Sequence, residues 1–172
     1  MQIWYVKSKF LGLLRITFDE SVVGVTASRK AKLGAIVLVE MMQKGKPSQK
    51  SSKELDIFKK ALKRYEEGNL SAFDDCSLHI SGTDFQKAVL TRMREIAPGT
   101  VVSYGELARL SGKPKAHRAV ATVCATNKIP LLIPCHRVVP ADFSIGQYAS
   151  RLIKNGSELK IGLLEHENAI ED

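Results

Sequence analysis

Two prolines, Pro130 and Pro134, bracket Leu131-Leu132-Ile133 and deny that stretch a helix. Each proline removes a backbone donor and pushes the residue before it towards an extended conformation. The apolar run Ile129–Ile133 therefore reads as a buried strand. Cys135 then falls where the strand gives way to a proline-punctuated turn, with His136 directly after it. The thiolate is the nucleophilic form of cysteine, and an ordinary thiol with pKa about 8.5 is only slightly ionised at neutral pH. A proton acceptor beside it corrects that shortage. Neighbours along a strand point to opposite faces, so His136 reaches Cys135 only if the chain bends there or a water bridges the two. The bare dipeptide is equally compatible with a small core thiol beside a satisfied imidazole.

The rest of the 172-residue chain sets the class. Hydrophobic residues make up 44% and charged residues 26%, which excludes wholesale disorder. The longest apolar stretches, around Ile36–Met42 and Ile129–Ile133, are too short to span a bilayer. The N-terminal MQIWYVKSKF lacks a charged-then-apolar leader, so the chain reads as soluble and cytoplasmic. Three unpaired-looking cysteines (Cys76, Cys124, Cys135) argue for a reducing compartment rather than a disulfide framework. A net charge of +8 favours a polyanionic partner, nucleic acid before an anionic membrane.

Period-two runs over Gln2–Lys7, Leu13–Asp19 and Val22–Ala27, with a break at Asp19-Glu20-Ser21, predict an antiparallel meander. Leu33, Ile36, Val37, Glu40 and Met41 fall at helical spacing, so Lys32–Lys44 is expected to be a helix. Ser51 and Glu54 resemble a capping box ahead of a helix carrying Leu55, Phe58, Ala61, Leu62 and Tyr65 on one face. A domain boundary is expected near residues 80–82. Beyond it, Thr83 with Gln86 and Ser103 with Glu106 read as two further capping boxes. Val101-Val102 reads as a very short strand. A helix through Leu110, a turn at Ser111-Gly112-Lys113 and a helix over Lys115–Ala125 with Pro114 at its start make a helix-turn-helix. Residues Ser157–Asn168 read as a closing helix. Cys76 and His79 have a ligand-like gap, but tetrahedral zinc needs three or four ligands, and Cys124, His117 and His166 sit in helices assigned elsewhere. No metal is assigned, and Cys124 reads as core packing.

Ile-Pro-Cys-His-Arg-Val, downstream of Ser-Tyr-Gly-Glu-Leu-Ala and Pro-Lys-Ala-His-Arg-Ala-Val, resembles the O6-alkylguanine-DNA alkyltransferases (methylated-DNA–protein-cysteine methyltransferases). The resemblance covers Thr83–Asn168 closely and the preceding half in general plan. It implies an α/β fold of two domains. Residues 1–80 would be a ribonuclease-H-like support domain of antiparallel sheet and helices. Residues 81–172 would be a mostly helical, winged-helix-like domain that binds DNA and carries the alkyl acceptor. By the same resemblance Cys135 accepts the alkyl group, His136 acts through a water as its base, and Glu167 orients His136. Asn127 organises the turn beneath Cys135, and Tyr104 contacts the flipped guanine or its phosphate and supplies a proton-donating hydroxyl. Arg118 fills the hole left by the extruded nucleotide. Ser103, Lys115, Ala116, His117 and Lys128 lie along the DNA. Pro134, Val138, Tyr148, Asn155, Gly156 and Ser157 line the base pocket. The implied substrate is duplex DNA containing O6-alkylguanine. No cofactor, membrane or obligatory protein partner is implied, and a monomer suffices. The loop Ala149–Ser157 is about five residues longer than the family's usual glycine-containing loop.

The charge pattern agrees with that reading. Over Val101–Lys128, Arg109, Lys113, Lys115, Arg118 and Lys128 are opposed only by Glu106. A non-enzymatic lesion sensor of the same fold is disfavoured by a cysteine at the acceptor position. A helix-turn-helix regulator leaves Pro-Cys-His-Arg without purpose. A Cys-His-Glu hydrolase leaves Arg118 and the basic helix unexplained.

Overall fold

In this computed structural model, residues 2–9, 12–25, 31–42, 52–146, 148 and 156–170 are described. The chain divides into two compact units, Met1–His79 and Ile80–Asp172.

In the first unit, β1 (Gln2–Ser8), β2 (Gly12–Val25) and β3 (Ala31–Met42) form an antiparallel sheet in that order. Pairing runs from Gln2↔Phe18 to Ser8↔Gly12, and from Leu13↔Met42 to Val25↔Ala31. Two expectations are corrected here. Asp19-Glu20-Ser21 does not end a strand; β2 runs through it with a register shift between Asp19 and Val23. The segment expected as the helix Lys32–Lys44 is strand β3. A continuous apolar run such as Ala35–Val39 satisfies helical and buried-strand patterns alike, and pairing along the length of β2 decides between them. Leu14, Ile16 and Phe18, at alternate positions of β2, are buried.

Helix α1 (Lys53–Glu66) buries Leu55, Phe58, Ala61, Leu62 and Tyr65, the face expected from sequence. Its cap is Ser52 rather than Ser51, which lies outside the described residues; Ser52 Oγ accepts from the Leu55 amide at 3.2 Å. The Phe73 ring packs against Phe58 and Tyr65 at centroid distances of 6.1 and 5.3 Å. Glu66 ties the end of α1 to β1, accepting from Ser8 Oγ at 2.8 Å and the Lys9 amide at 2.5 Å.

The second unit opens with α2 (Asp84–Arg94). Its capping box is complete: Thr83 Oγ1 accepts from the Gln86 amide at 3.3 Å and Gln86 Oε1 accepts from the Thr83 amide at 2.8 Å. Strand β4 is Val102–Ser103, one residue later than expected, and leads directly into α3 (Tyr104–Leu110). Ser103 Oγ caps α3 at the Glu106 amide, 3.0 Å. The second half of that expected box is absent, because Glu106 turns to Arg109 at 2.6 and 3.1 Å. Helix α4 is His117–Ala125, shorter than the expected Lys115–Ala125. Pro114 lies in a turn closed by the Ala116 amide on the Lys113 carbonyl, 2.9 Å, not in the first helical position. Helices α2, α3 and α4 pack on one another through Val89, Met93, Leu107, Ala108, Val120 and Val123.

Ile129–Ile133 is buried as expected but is not a strand. It folds into a tight turn, with the Ile133 amide on the Ile129 carbonyl at 2.9 Å and Leu131 at φ 73°. The prolines forbid a helix without requiring a strand, and Asn127 closes the turn, as described below. After a short 3-10 turn (Cys135–Arg137), β5 (Val138–Val139) pairs in parallel with β4. The closing helix α5 is Gly156–His166. Past its end, Asn168 at φ 55° and the Ala169 amide on the Leu164 carbonyl at 2.8 Å complete a Schellman-type stop.

Candidate active site

Asn127 emerges from the end of α4 into the proline turn and is buried. Its Oδ1 accepts from the Ile129 amide at 3.0 Å. Its Nδ2 donates to the Ile133 carbonyl at 2.8 Å and to Cys135 Sγ at 3.2 Å. One amide side chain thus closes the turn and points a donor at the sulfur. At Cys135–Arg137 the chain bends into a 3-10 turn instead of continuing as a strand, so the alternation that would send Cys135 and His136 to opposite faces does not apply.

His136 is 0% exposed and Glu167 1%. His136 Nε2 lies 3.0 Å from Glu167 Oε1. Arg137 grips the same carboxylate with Nε at 2.7 Å and Nη2 at 2.8 Å, and donates Nη1 to the Ile96 carbonyl. Burial alone would raise the Glu167 carboxyl, but the hydrogen bonds and charges of His136 and Arg137 outweigh it and hold it well below the usual range. An ionised carboxylate can only accept, so His136 Nε2 carries the hydrogen and Nδ1 presents its lone pair. Burial pushes the imidazole down, against the pull of Glu167, and keeps it neutral. Nδ1 is buried with no hydrogen-bond partner among the described residues. Gly99, at φ 75°, lets the chain after α2 pass close to the Glu167 carbonyl; a Cβ there would stand 3.2 Å from it.

Lys160 on α5 is 1% exposed and donates to the Val138 carbonyl at 2.7 Å. Burial lowers its ammonium to about 8, while Cys135 and Cys124 favour the charged form. Burial pushes the Cys135 thiol up; Asn127, Lys160 and the Tyr148 hydroxyl pull the other way by favouring the thiolate. Tyr104, at the start of α3, is pushed up to about 12 by burial and then by the two cysteines, so its phenol keeps its proton. Cys124 is half-buried; burial and then Cys135 push its thiol up, while Lys160 pulls the other way. The Tyr148 ring meets the His136 ring edge-on at 6.1 Å between centroids. Gly156 passes so close to Tyr148 that a Cβ would lie 1.7 Å from its carbonyl oxygen, so a glycine is required there.

Two residues at the heart of this cluster, Arg137 and Lys160, were missing from the sequence-based set. Lys160 shares a helix face with Gly156, Leu163 and Leu164, a cation on an otherwise apolar stripe, and that is the available signal. Arg137 is written into the Pro-Cys-His-Arg motif itself. Of the expected pocket residues, Pro134, Val138 and Tyr148 are buried around the sulfur's segment, and Gly156 is buried against Tyr148. Ser157 is half-buried and donates to the Gly146 carbonyl at 3.1 Å. Asn155 lies outside the described residues. The expected DNA contacts Lys115, His117, Arg118 and Lys128 are all exposed, around the two ends of α4; Ala116 precedes that helix without a side-chain cap, and Ser103 caps α3.

Residues 84–169 match the family model described as "6-O-methylguanine DNA methyltransferase, DNA binding domain". A protein of Acanthamoeba polyphaga mimivirus named "Probable methylated-DNA--protein-cysteine methyltransferase" is 31% identical over 97% of both chains. This chain belongs to the 6-O-methylguanine-DNA methyltransferase family. A family member from Methanosarcina acetivorans, named methylated-DNA–protein-cysteine methyltransferase, is 43% identical over 91 residues. That match spans 53% of this chain and 58% of the Methanosarcina protein. Among solved structures of the family, Mycobacterium tuberculosis OGT in complex with DNA superposes with a TM-score of 0.71. It shares 26% identity and covers 96% of this chain and 91% of that one. This agrees with the mixed α/β fold described above.

Proposed function

We propose that this protein repairs DNA by direct reversal, taking the alkyl group of O6-alkylguanine, mainly methyl, onto Cys135. The observation that carries the reading is the sulfur's setting: Cys135 Sγ accepts from Asn127 Nδ2 at 3.2 Å on a turn whose next residue is a buried, neutral imidazole with its Nδ1 lone pair unused. A water between Sγ and Nδ1 passes the thiol proton to His136, and Glu167 stabilises the imidazolium that forms. Lys160 and Asn127 stabilise the thiolate. The sulfur attacks the alkyl carbon, the carbon–O6 bond breaks, and the electrons of that bond leave with guanine. The Tyr104 phenol, still protonated, donates towards the departing base. The product is a thioether on Cys135, a thiolate is a poor leaving group, and no group among the described residues is set to remove it, so each molecule acts once.

The reacting carbon is inaccessible in paired duplex, so the nucleotide is turned out of the stack. Helices α3 and α4 and the turn between them act as a helix-turn-helix. Lys115, His117 and Arg118 meet the DNA, Arg118 enters the gap, and Ser103, Ala116 and Lys128 flank the strand. Pro134, Val138, Tyr148, Asn155, Gly156 and Ser157 hold the everted base. Residues 1–80 support this domain. The working form is a cytoplasmic monomer; no helix among the described residues is long and apolar enough to cross a membrane.

The test is incubation with duplex DNA carrying a labelled methyl on guanine O6, followed by peptide mapping. Label is expected on the Cys135 peptide at one equivalent per protein. Cys135→Ser is expected to abolish transfer while retaining duplex binding. Transfer surviving in Cys135→Ser overturns the assignment, and binding without transfer in the parent protein returns the sensor reading.

A further inference from the structure

Phe143 is 64% exposed, a large apolar ring presented to solvent. Its backbone sits at φ 58°, a left-handed conformation that is unfavourable for a bulky side chain. The fold thus carries an aromatic residue where glycine would be easier and where the ring buries little surface. The loop is well pinned. The Phe143 amide donates to the Pro140 carbonyl at 3.0 Å, and the Ser144 amide donates to Asp142 Oδ1 at 3.0 Å. Gly146 packs so closely on Pro140 that a Cβ would meet its ring at 3.2 Å, and Ser157 Oγ donates to the Gly146 carbonyl at 3.1 Å.

Both ends of this loop belong to the active site. It leaves from Val138–Val139, whose Val138 carbonyl holds Lys160 and whose partner strand runs into Tyr104. It returns to Tyr148, beside His136. Resting on the repair reading above, we propose that Phe143 stacks on a nucleobase of the DNA next to the everted nucleotide. The chemistry selects a base rather than the phosphate backbone. The loop's charged group, Asp142, is an ionised carboxylate engaged by the Ser144 amide, and it offers nothing to a phosphate. A rigid, exposed ring offers a π-face that any base can meet.

Three variants separate stacking from folding. Phe143→Gly relieves the left-handed backbone, so its melting temperature should not fall. Its transfer rate from O6-methylguanine in duplex DNA is expected to drop about tenfold, the lower part of the range for losing one stacked base. Its rate with free O6-benzylguanine base should be unchanged. Phe143→Ala should show the same split between the two substrates. Phe143→Trp should keep the duplex rate and lose fluorescence when duplex is added, with Trp4, the single native tryptophan, as the reference in the parent protein. Equal loss on both substrates, an unchanged duplex rate in Phe143→Gly, or a Phe143→Trp signal indifferent to DNA would overturn the proposal. So would quenching that follows protein concentration without DNA. Failure of the parent protein to dealkylate either substrate would strike the repair reading instead, and quenching of Phe143→Trp by duplex would still decide the stacking.

Discussion

The two units bury different things. Among the described residues of Met1–His79 the fully buried large side chains are Leu14, Ile16, Leu55, Phe58, Tyr65 and Leu78, an apolar core that any well-packed domain could use. In Ile80–Asp172 the apolar side chains Met93, Leu107, Ile133, Leu163 and Leu164 are fully buried, and an imidazole, a guanidinium, an ammonium and a carboxylate, from His136, Arg137, Lys160 and Glu167, are buried as well. Desolvating ions costs more than packing hydrocarbon of the same size gains, unless each ion finds partners. Here each does: Glu167 takes three donors, Arg137 also reaches the Ile96 carbonyl, and Lys160 reaches the Val138 carbonyl. The second unit gives up stability that the first does not, and what it gains is a carboxylate locked in its ionised form behind a neutral histidine.

The largest effects should come from cutting each core at its centre. Glu167→Ala leaves Arg137 buried without its counter-ion and is expected to cost about 3–5 kcal/mol. Phe58→Ala should cost about as much, 3–5 kcal/mol, by opening a cavity under α1. The two should separate in function. Transfer per folded molecule should fall at least a hundredfold in Glu167→Ala and stay near the parent rate in Phe58→Ala, read by urea denaturation and single-turnover labelling. Equal transfer in both variants would break the comparison. The acid limb tells the same story. The unfolded chain protonates histidine near pH 6.5 and glutamate near 4.3, whereas both groups resist protonation when folded, His136 by burial and Glu167 by its partners. The unfolded state therefore binds more protons, and stability should fall as pH drops below about 6.5, more steeply below about 4.3. Denaturation midpoints from pH 3 to 8 should show the second step lost in Glu167→Gln.

Lys160→Met tests whether the buried ammonium serves the sulfur. Transfer should slow about tenfold at pH 7, and the deficit should narrow above pH 8, where the parent's own ammonium discharges. Stability gives an independent readout. A lysine lowered to about 8 when folded but near 10.4 when unfolded leaves the unfolded chain with more protons between those values. Lys160 therefore adds a rising contribution across that window, against the falling one from the raised Cys135, Cys124 and Tyr104, so the parent should gain stability relative to the variant as pH rises. A parent–variant stability difference that does not change with pH, or a deficit in transfer that persists unchanged to pH 9.5, removes Lys160 from the chemistry.

The same contrast explains what the sequence could disclose. The helical face of α1 and the capping box at Thr83 are local and readable from spacing, whereas the pairing of His136 with Glu167, 31 residues on, is implied only by the resemblance of the motif to the family. Strand β3 was not, because its apolar run fits two periodicities and only its pairing with β2 chooses between them. Neither was the proline turn. Two prolines exclude a helix, but Asn127 satisfying the backbone from six residues away is a tertiary event. Lys160 was overlooked for a related reason: a lysine in a helix usually lies on the wet face, and only the spacing to Leu163 and Leu164 marked it as inward.

The smallest predicted effect sharpens the comparison most gently. Ser52 Oγ holds one otherwise unpaired amide at the start of α1, and Ser52→Ala should cost about 1 kcal/mol. That loss falls wholly in the apolar unit and touches no buried charge. Transfer at 25 °C should be unchanged, because a domain several kcal/mol stable remains folded after losing one. Nearer the melting transition the two readouts acquire different meanings. If the units unfold together, Ser52→Ala will lower the temperature at which transfer is lost by a few degrees. If they unfold separately, the first unit's transition alone will move and transfer will persist through it. Calorimetry and labelling on the same sample distinguish these outcomes. A fall in transfer at 25 °C with an unmoved transition would mean that the apolar unit contributes to the chemistry itself, which the burial pattern gives no reason to expect.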